Sequence, residues 1–187
     1  MKHLIAVIAL SLAVTAQAAA PTAGSPSLYN VEVLVFENRM PTLEGGELWS
    51  QDKVRPLPDE ATSADLPGMP EDSESPISKV AEQISQDGNY RLLLHGYWQQ
   101  TAEAKSDTKP MRLATTDGTL DGLFRFYLSR FLHVDLDMQL RQPGATADAT
   151  PLVLRLREHR RIRTQDVHYF DHPRFGMLVR ITPAEKT

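Results

Sequence analysis

The chain has 187 residues, 41% of them hydrophobic, which suits one globular domain with a real core and little besides. A formal net charge of -4 gives no global attraction to nucleic acid. The absence of cysteine removes thiol nucleophiles, disulfides and thiolate metal sites together.

Residues 1–18 have the form of a cleavable export signal. Lys2 and His3 make a short basic start, Leu4 to Val14 is an apolar run, and Ala16-Gln17-Ala18 is a small-x-small cleavage site. The run is far shorter than the ~20 residues that span a bilayer, and no other segment is long and apolar enough to cross one. The mature chain is therefore expected in the periplasm of a Gram-negative cell. Residues 19–28, rich in Ala, Pro, Gly, Ser and Thr, read as a flexible segment.

Tyr29, Val31, Val33 and Val35 alternate with Asn30, Glu32, Leu34 and Phe36, the period of a strand, and the partly apolar second face implies an interior one. Residues 37–74 form a long connection broken by Pro and Gly, with Trp49 expected to pin it to the body. From Tyr29 to Gly88 thirteen acidic residues stand against four Lys and Arg, which reads as a solvated acidic loop or as a partner surface. Ser75 as N-cap and Pro76 at the first position open a helix over about 76–86, with Ile77, Val80, Ala81 and Ile84 along one stripe.

Tyr90 to Gln99 is a second strand with bulk on both faces, again suggesting an interior position. The polar 101–109 loop contains Ser106-x-x-Lys109, but Pro110 follows and no helix supports the serine. Met111 to Ala114 is a short strand turned at Asp117-Gly118. From Leu120 to Leu140 the even positions are apolar almost without a break, and the odd ones include Arg125, His133, Asp135 and Asp137. So long a register predicts a bend or bulge near Ser129-Arg130 in a twisted ribbon.

Leu152, Leu154 and Leu156 then alternate with a row comprising Arg155, Arg157, His159, Arg161 and Arg163. A dense motif, His168-Tyr169-Phe170-Asp171-His172-Pro173-Arg174-Phe175-Gly176, leads into a closing strand at Met177 to Thr182. His168 and His172 stand four apart, with Asp166 or Asp171 as a possible third metal ligand. Pro173 biases His172 away from helical geometry, so a structural corner plugged by Phe170 and Phe175 is expected and no metal. The sequence nominates no nucleophile or carboxylate pair for hydrolysis.

The Tyr29, Val31, Glu32, Val35, Phe36 strand, the Leu94, His95, Trp98, Gln100 segment and above all Arg160, Arg161, Arg163 with His168, Tyr169, Asp171, His172, Pro173, Phe175 and Gly176 resemble the CsiV family of periplasmic peptidoglycan-binding proteins. The resemblance implies one domain over 29–187 that is not an enzyme, needs no cofactor and binds the cell wall. It also implies a partner, an outer-membrane lipoprotein that activates a bifunctional peptidoglycan synthase. The expected fold is α+β, a mainly antiparallel twisted sheet with the helix on one face.

The residues nominated for peptidoglycan are Arg155, Arg157, Arg161, Arg163 and Tyr169, because guanidinium forks bind carboxylates and aromatic rings cover sugar faces. A cross-strand ladder with Asp135 and Asp137 is the competing account of the arginines. The alternative function is a periplasmic protein-interaction module that works through the acidic loop or a sheet edge and does not bind glycan.

Overall fold

The computed structural model describes residues 27–40, 62–63, 74–143 and 151–184. The export signal, most of the acidic 37–74 connection with Trp49, and the 144–150 loop lie outside the described residues.

Among the described residues the strands form two sheets and one helix covers the first. The first sheet has the order β3 (Tyr90–Thr101), β1 (Leu28–Asn38), β9 (Phe175–Pro183), β8 (Val167–His172) and is antiparallel throughout. In the second sheet β4 (Met111–Ala114), β5 (Leu120–Leu128), β6 (Leu132–Gln142) and β7 (Leu152–Arg161) follow one another antiparallel, and the two-residue β2 (Thr62–Ser63) adds parallel to β4. The fold is thus α+β and mostly sheet, with the strands divided between two layers.

Alternation explains why the layers stack. Val31, Val33, Val35, Phe170, Met177, Val179 and Ile181 of the first sheet form one buried cluster with Leu120, Phe124, Phe126, Val134, Leu136, Met138, Leu140, Leu154 and Leu156 of the second. Edge-to-face contacts cross the interface, Tyr29 on Phe126 at 5.4 Å and Trp98 on Phe124 at 5.3 Å. The Trp98 indole donates to Gln100 Oε1 at 3.1 Å, and Gln100 Nε2 donates to the Phe126 carbonyl at 2.9 Å. Trp98 and Gln100 are therefore a polar stitch between sheets.

The helix α1 (Pro76–Gln86) lies on the outer face of the first sheet, packing Ile77, Ala81 and Ile84 on Leu34 with Phe36, Leu92 and Leu178 around them. Ser75 caps it, accepting from the Ser78 N–H at 2.9 Å. The same hydroxyl donates to Glu32 Oε1 at 2.6 Å, and His95 Nε2 reaches that oxygen at 3.0 Å. A buried carboxylate on β1 thus holds the helix N-terminus and β3 together.

Three expectations change in detail. The Leu120–Leu140 ribbon is a hairpin: the chain reverses at residues 129–131 and Leu128 faces Leu132. Every partner pair differs by an even number, so apolar residues face apolar ones and the alternation runs through the turn unbroken. Among the described residues β3 is an edge strand, flanked by β1 alone. Its two bulky faces report cover from the helix side and from the second sheet, which alternation cannot tell from pairing on both edges. Finally, the dense motif is itself a strand, β8, joined to β9 by a turn at Pro173-Arg174.

Gly176 shows how tight that corner is. A Cβ there would lie 2.7 Å from Tyr169 Cε2 and 2.8 Å from Phe36 Cζ, the two rings that stack beside it at 6.3 Å. Gly176→Ala is expected to lower stability by about 1–3 kcal/mol in urea denaturation. Gly88→Ala, where a Cβ meets nothing within 4 Å, is expected to show no such steric loss.

Candidate functional site

With the even-numbered residues of β5, β6 and β7 in the core, these three strands turn their odd-numbered ones outward. Across β5, β6 and β7 the register aligns Leu123 with Asp137 and Arg157, Arg125 with Asp135 and His159, and Tyr127 with His133 and Arg161. The face is an ordered array of charged and aromatic groups on a rigid support.

Part of it is an internal ladder. The Arg155 guanidinium grips Asp137 with both arms, Nε to Oδ1 at 2.6 Å and Nη2 to Oδ2 at 2.5 Å. His159 Nδ1 lies 2.5 Å from Asp135 Oδ1, and Lys105 Nζ lies 2.8 Å from Asp135 Oδ2. Lys105 arrives from the 102–110 loop, which is held down by buried Ala102 and Thr108 and by the Leu128 N–H donating to the Glu103 carbonyl at 2.7 Å. Its ammonium also stands 5.0 Å over the Tyr127 ring.

Burial alone would raise the Asp135 carboxyl, but the hydrogen bonds from Lys105 and His159 outweigh it and hold the group below its ordinary value. The hydrogen bond to Asp135 in turn raises Lys105.

Aromatic rings continue the face. Tyr127 stacks on His133 at 5.4 Å, His133 stacks on His159 at 5.1 Å, and the Arg161 guanidinium lies 3.4 Å from the Phe131 ring centre. Along the ladder runs a cleft of about 510 Å³, lined in part by Lys105, Arg125, Asp135, Asp137, Arg157 and His159.

Of the nominated residues, Arg155, Arg157 and Arg161 come together here. Arg163 lies beyond the end of β7, with its backbone N and O at 3.1 and 2.9 Å from His168 Nε2. Tyr169 is elsewhere. It stands at the edge of the helix-bearing face of the first sheet, stacked on Phe36 and donating its hydroxyl to Asp171 Oδ1 at 2.6 Å. Burial and that carboxylate raise the Tyr169 hydroxyl above its ordinary value. The structure does not bring the Tyr169 ring to these arginines, because β8 belongs to the first sheet and β7 to the second; the β7 residue that reaches Tyr169 is Arg160, of opposite parity, which donates to its carbonyl at 2.6 Å.

The closing motif spans β8, the turn at Pro173-Arg174 and the start of β9. Phe170 and Phe175 are buried, the Arg174 N–H donates to His172 Nδ1 at 3.1 Å, and Asn38 Nδ2 donates to the Pro173 carbonyl at 3.4 Å. Among the described residues no three His, Asp or Glu side chains converge as a metal site.

Sequence reasoning passed over Lys105, Arg125, Tyr127 and His133 as site residues. The signal for the last three was their shared odd parity with Asp135 and Asp137. Nothing local marked Lys105, whose place depends on how its loop folds over the sheet.

A two-sheet sandwich that spends one sheet face on its core and displays the other as a cationic, aromatic surface is built as a binding module. The model for CsiV, peptidoglycan-binding protein, matches residues 59–184, and the chain belongs to this family. No curated protein and no solved structure matches it. The matched span starts after β1, yet β1 is hydrogen-bonded along both edges by β3 and β9, within the span.

His133 provides a test of the face's electrostatics. Burial first, then the charge of His159, lower its imidazole below the ordinary value. The unfolded chain therefore takes up a proton near pH ~6.5 that the folded chain resists, and stability falls as pH drops through that region. The contribution of His133 is separate from that of Asp135, which is lost only as pH falls below its ordinary carboxylate range. His133→Phe keeps the ring stack and is expected to shrink the loss of urea midpoint between pH ~7.5 and ~5.5.

Proposed function

We propose that this chain is a non-catalytic periplasmic protein that binds peptidoglycan through the outer face of the β4–β7 sheet and supports wall synthesis. The observation that carries the reading is the family match over residues 59–184. The site supports it in chemical terms. Peptidoglycan offers sugar rings with apolar faces and stem peptides with free carboxylates. The face offers guanidinium groups beside the Tyr127, His133 and Phe131 rings. Arg157 and Arg161 act as direct contacts, while Arg155 holds Asp137 and sets the surface on which they stand.

In this reading residues 1–18 direct export and are removed. The partner is an outer-membrane lipoprotein that activates a bifunctional peptidoglycan synthase, and the wall-bound chain acts as an adaptor for it. Binding needs no cofactor.

Co-sedimentation of residues 19–187 with purified sacculi tests this. The protein is expected to pellet at low salt and to be released progressively as ionic strength shortens the range of the arginine charges. Replacing Arg157 and Arg161 together by Gln is expected to weaken binding at least about tenfold, the size of one charge-assisted hydrogen bond at the low end of its range. Undiminished binding by that variant would rule out the face. Soluble muropeptides appearing in the supernatant would contradict the non-catalytic reading, and failure to pellet at any salt would favour a module that works only through proteins.

A further inference from the structure

We propose that the cleft between Arg125 and Arg157 is a carboxylate-binding subsite that takes a free carboxylate of a peptidoglycan stem peptide; this rests on the wall-binding reading and names the part of the polymer recognised. The argument is one of charge pairing.

Three carboxylates, Asp135, Asp137 and Glu158, line the cleft together with several cations, and Glu158 is taken by Arg160 Nη2 at 2.6 Å. Both aspartates are engaged as well. Asp137 gives its two oxygens to the Arg155 fork, and Asp135 gives one oxygen to Lys105 and the other to His159. Arg125 and Arg157, which stand beside these aspartates in the register, make no hydrogen bond or ion pair among the described residues. Two guanidinium charges are left over, in one cleft, on a sheet that holds them in place.

Arg125 gives the second observation. Its Nε is buried and lacks a hydrogen-bond partner among the described residues. A desolvated donor of this kind is costly to leave unpaired, and an acceptor oxygen brought by a ligand would recover much of that cost. A planar carboxylate is the acceptor that matches a guanidinium fork.

The two arginines belong to strands on either side of β6, at neighbouring odd positions of its register, so their Cα atoms are roughly 12 Å apart by strand spacing. Two extended arginine side chains span that distance around one small group. Leu123 and Pro110 supply an apolar wall of the same cleft, suited to an alanyl methyl beside the carboxylate. The volume of about 510 Å³ fits a peptide end and not a folded partner.

The experiment is a calorimetric titration of the mature chain with a sugar-free stem tetrapeptide. Parallel titrations use the same peptide with its carboxylates converted to amides, and inorganic phosphate. The acid peptide is expected to bind, and the amide form at least tenfold more weakly. Arg157→Gln, at an exposed position, is expected to lose fivefold or more. Arg125→Gln should do the same, and Arg125→Lys should restore part of the loss if a charge, more than packing, is what matters.

Equal binding of acid and amide forms, unchanged affinity in Arg157→Gln, or phosphate binding as tightly as the peptide would overturn the subsite. Sacculus sedimentation of the same sample separates the two levels. A protein that pellets with sacculi but ignores the peptide overturns the carboxylate subsite alone. One that does not pellet overturns the wall reading and the subsite with it.

Discussion

Burial of the even-numbered residues of β5 and β6 is the constraint on which the rest of this structure depends. Val134, Leu136, Met138 and Leu140 are all at or below 2% exposure, and Leu120, Phe124 and Phe126 oppose them on β5. At roughly 1.5–3 kcal/mol for each large apolar side chain withdrawn from water, a register slip of one residue would be prohibitive. Because partners across both β5–β6 and β6–β7 differ by even numbers, the same burial forces Arg125, His133, Asp135, Asp137, Arg155, Arg157 and Arg161 onto one outer surface. The chemistry of that surface follows from the core beneath it.

The first sheet shows what happens when both faces are covered. One side packs on the second sheet, and the other carries α1, fixed at its start by the Glu32, Ser75 and His95 cluster. A carboxylate on β1 that is 3% exposed is tolerable only because a hydroxyl and an imidazole reach it. Arg160 closes the other end, bonding Glu158 and the Tyr169 carbonyl while lying 4.4 Å over Phe170. With the helix in place on the first sheet, the broad open face among the described residues is that of β4 to β7, and the arginine row lies on it.

Much of this was legible from alternation, since a period of two states which residues share a face. It placed β1, the helix with its Ser75 cap, the break near Ser129, and the arginine row opposite Asp135 and Asp137. What alternation does not carry is what lies across from a face or an edge. It therefore did not separate two stacked sheets from one, or reveal β3 as an edge strand. The ladder account describes Arg155, a rung with Asp137, while Arg157 stands free of any ion pair among the described residues. The residue type is the same in both, and only the geometry of Asp137 divides them. Tyr169 was nominated because it is close in sequence, but the β7–β8 connection carries the chain from the second sheet to the first before that residue is reached.

The central claim, that the wall is met by the outer face of the β4–β7 sheet, is tested most directly by arginine-selective dicarbonyl labelling of the mature chain with and without sacculi, read residue by residue by mass spectrometry. The account predicts that sacculi protect Arg157 and Arg161 while Arg39 and Arg174, on the first sheet's side, stay reactive. Protection confined to Arg39 and Arg174, with the β7 arginines labelled as in the free protein, would contradict it.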